Sequence, residues 1–194
     1  GGNITGVTNI VAELAGKRLE LLKGLLPNAR RVAVLINPDD PNAPLQMRQT
    51  EAEARRLGIL LDPILAVRGA GDGEKAVAAA AKARADAALR MVDPTTTLLR
   101  MEIVSAAAKH RMPMIYAFRE DVAAGGLLSY GTRQVAQYEQ AATMVAKIFD
   151  GAQPRDLPVE RATRFEMAIN LRAANALGLR VPAELIARAD EVID

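Results

Sequence analysis

A chain of 194 residues with 25 Lys and Arg against 23 Asp and Glu carries a net charge of +2, too little to mark a nucleic-acid surface. Hydrophobic residues make up 50% but aromatics only 3%, with no Trp, so the core is aliphatic and helix-rich. The absence of Cys excludes disulfides, thiolate metal sites and cysteine nucleophiles, and no apolar run approaches the roughly 20 residues that span a bilayer.

Residues 1–6 read as the end of a strand or a turn. Residues 11–26 read as an amphipathic helix with Leu14, Leu19, Leu22 and Leu26 on one side, stopped by Pro27 and Asn28. The run Val32-Ala33-Val34-Leu35-Ile36 predicts a strand over 31–36, ending in the polar loop Asn37-Pro38-Asp39-Asp40. Pro44 then suits the first turn of a helix running to Leu57, with Gly58 as its cap. A second strand over 59–67 is interrupted by Pro63, which suits a sheet edge. A helix over 74–84, a third strand over 87–92, a helix over 97–111 and a fourth strand over 114–116 continue the alternation. Residues 125–131 read as a short fifth strand bounded by glycines, 134–150 as a long helix, and 151–159, with Pro154 and Pro158, as a connector. An alternating strand over 165–169 and two helices, 171–177 and 182–193, finish the chain.

Short buried runs separated by helices require crossover connections, so the fold class is α/β with a doubly wound, mostly parallel sheet. Ligands of such sheets sit outside the carboxyl ends of the strands. Asn37, Asp39 and Asn42 after the first strand, Asp93 and Thr95 after the third, and Tyr116, Phe118 and Glu120 around the end of the fourth would converge on that rim. Tyr130 of the fifth strand joins the set. The mix suits a small zwitterion or polar metabolite: Asp93 or Glu120 for an ammonium group, amides and hydroxyls for a carboxylate, Tyr116 or Phe118 over an apolar body. Taken singly, Asp93 and Thr95 also read as helix caps, and Asp39 and Asp40 as turn formers.

Signals for catalysis are weak. Gly69-Ala70-Gly71-Asp72-Gly73 lies between a strand and a helix, with Asp93 about 20 residues on, but Glu74 stands where a dinucleotide fingerprint needs Gly. Ser129 is not in a nucleophile elbow, and His110, the only histidine, reads as a surface residue at a helix end. No catalytic residue, metal or cofactor is assigned. Arg90 breaks the apolar run 87–92, so it must find a partner or reach a surface, whether by lining a cleft, at a sheet edge or in a salt bridge.

The ordered blocks Gly1-Gly2-Asn3-Ile4-Thr5-Gly6, Gly16-Lys17-Arg18-Leu19-Glu20-Leu21-Leu22-Lys23, Arg31-Val32-Ala33-Val34-Leu35-Ile36-Asn37-Pro38, Pro113-Met114-Ile115-Tyr116-Ala117-Phe118-Arg119-Glu120 and Ala174-Asn175-Ala176-Leu177-Gly178-Leu179 closely resemble one family. It is that of the ABC-transporter substrate-binding proteins related to the tryptophan- and tyrosine-binding lipoproteins. The resemblance implies a type I periplasmic binding protein fold, whose two α/β lobes close on a solute and present it to a membrane permease. Members carry a complete first lobe ahead of the Gly-Gly-Asn motif, so this chain is read as the C-terminal portion, and a leader sequence is expected upstream. On that reading 1–30 is a crossover helix belonging to or facing the first lobe, 31–131 the second lobe, 132–160 a crossover helix with a connector, and 161–194 a C-terminal strand with helices. The implied function is capture of a solute, an amino acid and an aromatic one in particular, without chemical conversion, by a periplasmic or cell-surface lipoprotein. The implied partners are the solute and an ABC permease, not nucleic acid, and faces meant for the first lobe would promote self-association. The rival readings are a nucleotide-cofactor enzyme of Rossmann type and the ligand-sensing domain of a regulator.

Overall fold

Alanine-rich helices and aliphatic strands alternate through most of the computed structural model, which describes residues 2–194. A two-residue strand, β1 (Val7–Thr8), precedes α1 (Glu13–Leu25), β2 (Arg31–Ile36), α2 (Ala43–Leu57), β3 (Leu60–Ala66), α3 (Asp72–Lys82) and β4 (Ala87–Arg90). Then come α4 (Pro94–Leu98), α5 (Arg100–Lys109), β5 (Met114–Tyr116), α6 (Arg119–Ala123), β6 (Leu128–Thr132) and α7 (Gln134–Phe149). A 3₁₀ turn (Pro154–Asp156), β7 (Glu160–Arg161), β8 (Phe165–Asn170), α8 (Leu171–Leu177), α9 (Ala183–Arg188) and β9 (Glu191–Ile193) complete the chain.

The main sheet has the order β3-β2-β4-β5-β6-β8-β9, parallel throughout except where β8 runs against β6. Strand periodicity feeds two cores, one on each face. Val32, Val34 and Leu89 pack with Leu19, Leu22 and Leu25 of α1, while Ala33, Leu35 and Met114 pack with Val77 and Ala80 of α3 and Ile103 and Ala106 of α5. The architecture is thus α/β and doubly wound. Pro63, which has no N–H for a ladder, sits in β3, the edge strand. Gly58 ends α2 in the left-handed conformation at φ 65°, its N–H donating to Ala54 and Arg55 carbonyls. The Asp86 carboxylate accepts the N–H groups of Arg30 and Arg31 and so pins the entry of β4 to that of β2. Those two bonds hold its pKa below the usual range.

Several elements differ from the sequence expectation, each for a local reason. The helix expected over 97–111 starts earlier and in two pieces, because Asp93 caps it from Pro94 and Leu99 leaves the helical region. The helix expected over 182–193 stops at Arg188. Asp190 exchanges bonds with Met167, its carboxylate taking the Met167 N–H and its own N–H donating to the Met167 carbonyl, and this docks β9 beside β8. The paired strands β1 and β7 are too short to show a period. The helix expected over 11–26, read as belonging to or facing a first lobe, is α1, which buries Leu19 and Leu22 completely in this core. By contrast α7 leaves Val135, Tyr138, Val145 and Phe149 exposed along one stripe.

A close approach fixes the end of β6. A Cβ added at Gly131 would lie 2.0 Å from the Ala117 carbonyl oxygen, a backbone atom that cannot swing aside. Gly131→Ala is expected to destabilise the chain by at least about 2 kcal/mol in urea unfolding, whereas Gly24→Ala, in open space, should not.

Candidate functional site

After β2 the chain crosses to β3 on one side, and it later returns to β4 on the other, so the loops leaving β2 and β4 diverge at a topological switch point. There the carboxyl ends of the strands form a concavity of about 330 Å³. Asp40 and Asn42 come to it from the β2 loop, Asp93 and Thr97 from the β4 loop, Phe118 from beyond β5, and Asn9, Val11 and Gln134 from the segments flanking α1 and α7.

The rim is held by a dense polar network. Asp93 Oδ1 accepts the N–H groups of Thr95 (2.8 Å) and Thr96 (3.2 Å), and its Oδ2 accepts the Thr96 hydroxyl (2.6 Å). Asn37 donates from Nδ2 to Asp93 Oδ1 and Thr95 Oγ1, and its Oδ1 accepts the Asp39 N–H. Gln46, fully buried on α2, grips the backbone of Val92 with both ends of its amide, at 2.8 and 2.9 Å. These bonds shape the two loops, and they use most of the Asp93 acceptor capacity for capping. Asp40 differs: its carboxylate has no hydrogen-bonded partner among the described residues, although it lines the concavity.

Beneath the rim lies Arg90, fully buried on a central strand. Its Nη2 donates to Asp121 Oδ2 at 2.7 Å, its Nη1 to the Thr96 carbonyl at 2.8 Å, and its guanidinium stands 5.6 Å from the centroid of the Tyr116 ring. Arg100 binds the other Asp121 oxygen at 3.0 Å. Of the fates open to Arg90, the salt bridge is the one observed. Burial drives the Asp121 carboxyl upward, against the opposing pull of Arg90 and Arg100. Arg18 is the second buried guanidinium. It donates to the carbonyls of Val11 and Tyr130 and so ties the segment entering α1 to the strand that leads into α7. Burial, and then the charge of Arg90, pulls its pKa down to about 9, so it stays cationic at neutral pH.

The sequence-derived rim set divides in three. Asn42, Asp93 and Phe118 line the concavity, and Asn37 and Thr95 support it. Asp39 turns to Arg68 in an exposed ion pair at 3.0 Å. Tyr116, Glu120 and Tyr130 do not line it. Tyr116 is buried on the α5 face, where the pleat places it with Met114. Glu120 lies on α6, where its charge acts on Glu166, and Tyr130 stacks on Phe165 with ring centroids 6.5 Å apart. Sequence reasoning missed Asn9, Val11, Thr97 and Gln134, and it missed the supporting roles of Gln46 and Arg18. Only Gln46 left a signal, a polar residue on the buried stripe between Ala43 and Ala54.

The Gly69 to Gly73 loop does not offer a pyrophosphate its N–H groups. Asp72 accepts those of Arg68 and Gly69, and Glu102 those of Gly71 and Glu74. The carboxylates already occupy the amino end of α3, on the sheet's edge. His110 is engaged at a helix end by Glu74, 3.0 Å from its Oε1.

The family model described as ABC transporter substrate binding protein matches residues 1–193. A curated relative, the tyrosine-binding protein of Clostridioides difficile strain R20291, is 24% identical over 183 residues, covering 93% of this chain and 51% of that protein. The chain thus spans about half the length of this relative. A conserved domain protein from Vibrio cholerae superposes with a TM-score of 0.88 at 29% identity, over 99% of this chain and 64% of its own. The ABC domain from Streptococcus pneumonia, solved in complex with L-Trp, gives a TM-score of 0.86 at 26% identity, over 100% of this chain and 66% of its own.

Two outcomes test the electrostatics. Arg90→Met, which leaves the Asp121 charge buried with Arg100 alone, should cost about 3–5 kcal/mol of unfolding free energy, and adding Asp121→Leu should recover part of it. Glu166 has its pKa raised, first by burial and then by the Glu120 charge. The folded chain therefore holds the Glu166 proton more tightly than the unfolded one, and stability falls as pH rises through that window. Glu166→Gln should raise the melting temperature at about pH 7 and leave it nearly unchanged at about pH 4.

Proposed function

Since this chain belongs to the family of ABC transporter substrate-binding proteins, we propose that it captures a small solute at the rim of its sheet and passes it unchanged to an ABC permease. The observation that carries this reading is the polar concavity at the topological switch point, in a chain matched by the family over residues 1–193. The solute class we favour is an amino acid with an aromatic side chain, supported by the L-Trp complex of one structural neighbour and by the name of the tyrosine-binding relative. Asp40, unengaged at the rim, would take the ammonium group, the amides of Asn9, Asn42 and Gln134 the carboxylate, and Phe118 one face of the ring.

In this reading the chain is the second lobe of a two-lobed protein located in the periplasm or held at the cell surface as a lipoprotein. The segments around Asn9 and Gln134 are then hinge pieces, and the solute is enclosed only when a first lobe closes over the rim. The exposed stripe of α7 is the face that the first lobe covers, and the isolated 194-residue chain self-associates through it.

Calorimetric titration of the twenty amino acids and of NAD(P), on this chain joined to a first lobe, tests the reading. Saturable binding of an aromatic amino acid, weakened at least about tenfold by Asp40→Ala, is the expected outcome. Binding of NAD(P) alone would replace transport with cofactor chemistry. An amino-acid signal indifferent to Asp40→Ala and Phe118→Ala would move the site away from the rim.

A further inference from the structure

At the end of the sheet opposite the rim, where β5 and β6 begin, a cavity of about 130 Å³ opens between α5 and α8. Val104 and Ala107 form one wall, Met112 and Met114 the floor, and Ala173 and Leu177 the other wall. It shares no residue with the rim concavity. Its size is close to the roughly 150 Å³ of an apolar cavity that stays dry and admits benzene.

Two polar groups break the apolar lining. Tyr116 is 1% exposed, and its hydroxyl has no hydrogen-bond partner among the described residues. Its ring lies against Gly126, also in the lining, where an added Cβ would meet Cε2 at 2.7 Å. Gly126 thus leaves room for this ring position. Burial holds the phenol above its usual pKa, so it stays a neutral hydrogen-bonding group. Arg111 follows α5 with a positive φ of 50°, exposed, and without a carboxylate in reach among the described residues. A ligand with an apolar body, one hydrogen-bonding substituent and a negative end would satisfy the hydroxyl, the walls and the cation together.

We propose that this cavity is a second small-molecule site, separate from the rim, for a single-ring aromatic carboxylate: the ring between α5 and α8, a hydroxyl substituent meeting Tyr116 Oη, and the carboxylate held by Arg111. Both cationic anchoring and apolar enclosure are required, so neither a larger amino acid nor a neutral hydrocarbon meets the whole set of contacts.

The test follows the ¹³C-methyl resonances of Met112 and Met114 in the 194-residue chain during titration with 4-hydroxybenzoate and with benzoate. Both should move these methyls saturably, with the hydroxylated probe bound about fivefold more tightly. In Tyr116→Phe that preference should fall below about twofold, and Arg111→Gln should weaken both probes at least about fivefold. Ala108→Leu, at an exposed lining position on α5, should abolish the shifts without disturbing the fold. Unmoved methyls at millimolar probe would overturn the proposal, as would shifts that persist undiminished in Ala108→Leu and Arg111→Gln. Because the readout sits at the far end of the sheet, it is independent of whether the rim binds an amino acid.

Discussion

The buried contact between Arg90 and Asp121 is the constraint on which the upper half of the molecule depends. A guanidinium on a central strand has no route to water, so its donors must be met by whatever the surrounding helices supply. The carbonyl of Thr96 on α4 meets Nη1 and the carboxylate of Asp121 on α6 meets Nη2, Nε has no partner among the described residues, and Arg100 on α5 takes the second Asp121 oxygen. Three helices are thereby fixed to one strand end. The concavity above inherits its shape from this arrangement, because Asp93 and Phe118 stand on the segments that the ion pair positions. Gln46 makes a parallel tie from the other face, holding Val92 between α2 and β4.

Much of the fold could be read from residues. An unbroken aliphatic run specified β2, Pro63 placed β3 at an edge, and Gly58 ended α2, because each states a backbone requirement locally. What escaped was decided by tertiary contact. The Asp190 bonds to Met167 turn an apparent helix into a strand, and no local pattern announces a partner so far away in sequence. At the site, the loops were legible and the directions of side chains were not. Asn42, Asp93 and Phe118 reach the concavity, while the pleat sends Tyr116 to the other core. Arg18 sits beside Lys17 on α1, yet it is fully buried. Charge alone could not distinguish the two lysine and arginine neighbours, since only the position of Tyr130 and Val11 makes a buried cation tolerable there.

The molecule has two kinds of connection between its parts. Within the doubly wound sheet, contacts are aliphatic and dense on both faces, as in any rigid layer architecture. Around the segments at residues 8–12, 132–134 and 162–165 polar ties stand beside the stacking of Tyr130 on Phe165: Thr132 to Asn9, Arg133 to the Arg164 carbonyl, Ala162 to the Thr8 carbonyl, and Arg18 to Val11. Among these ties the bond from Arg18 is the costly one to break, because it would leave a fully buried cation short of a partner. In the two-lobed reading proposed above, these segments are the ones that a closure would rearrange.

The placement of Pro63 bears on the company the sheet can keep. A parallel sheet of this size ends in a strand whose outer groups would template any extended peptide that met them. In β3 the proline lacks a donor, and the pairing of β2 with β3 slips between Val32 and Val34, so the border is irregular. At the far border β9 offers only three residues. With both borders blunted, strand-by-strand growth into fibrils has no straight ladder to copy, even though Leu60 and Ile64 are exposed there.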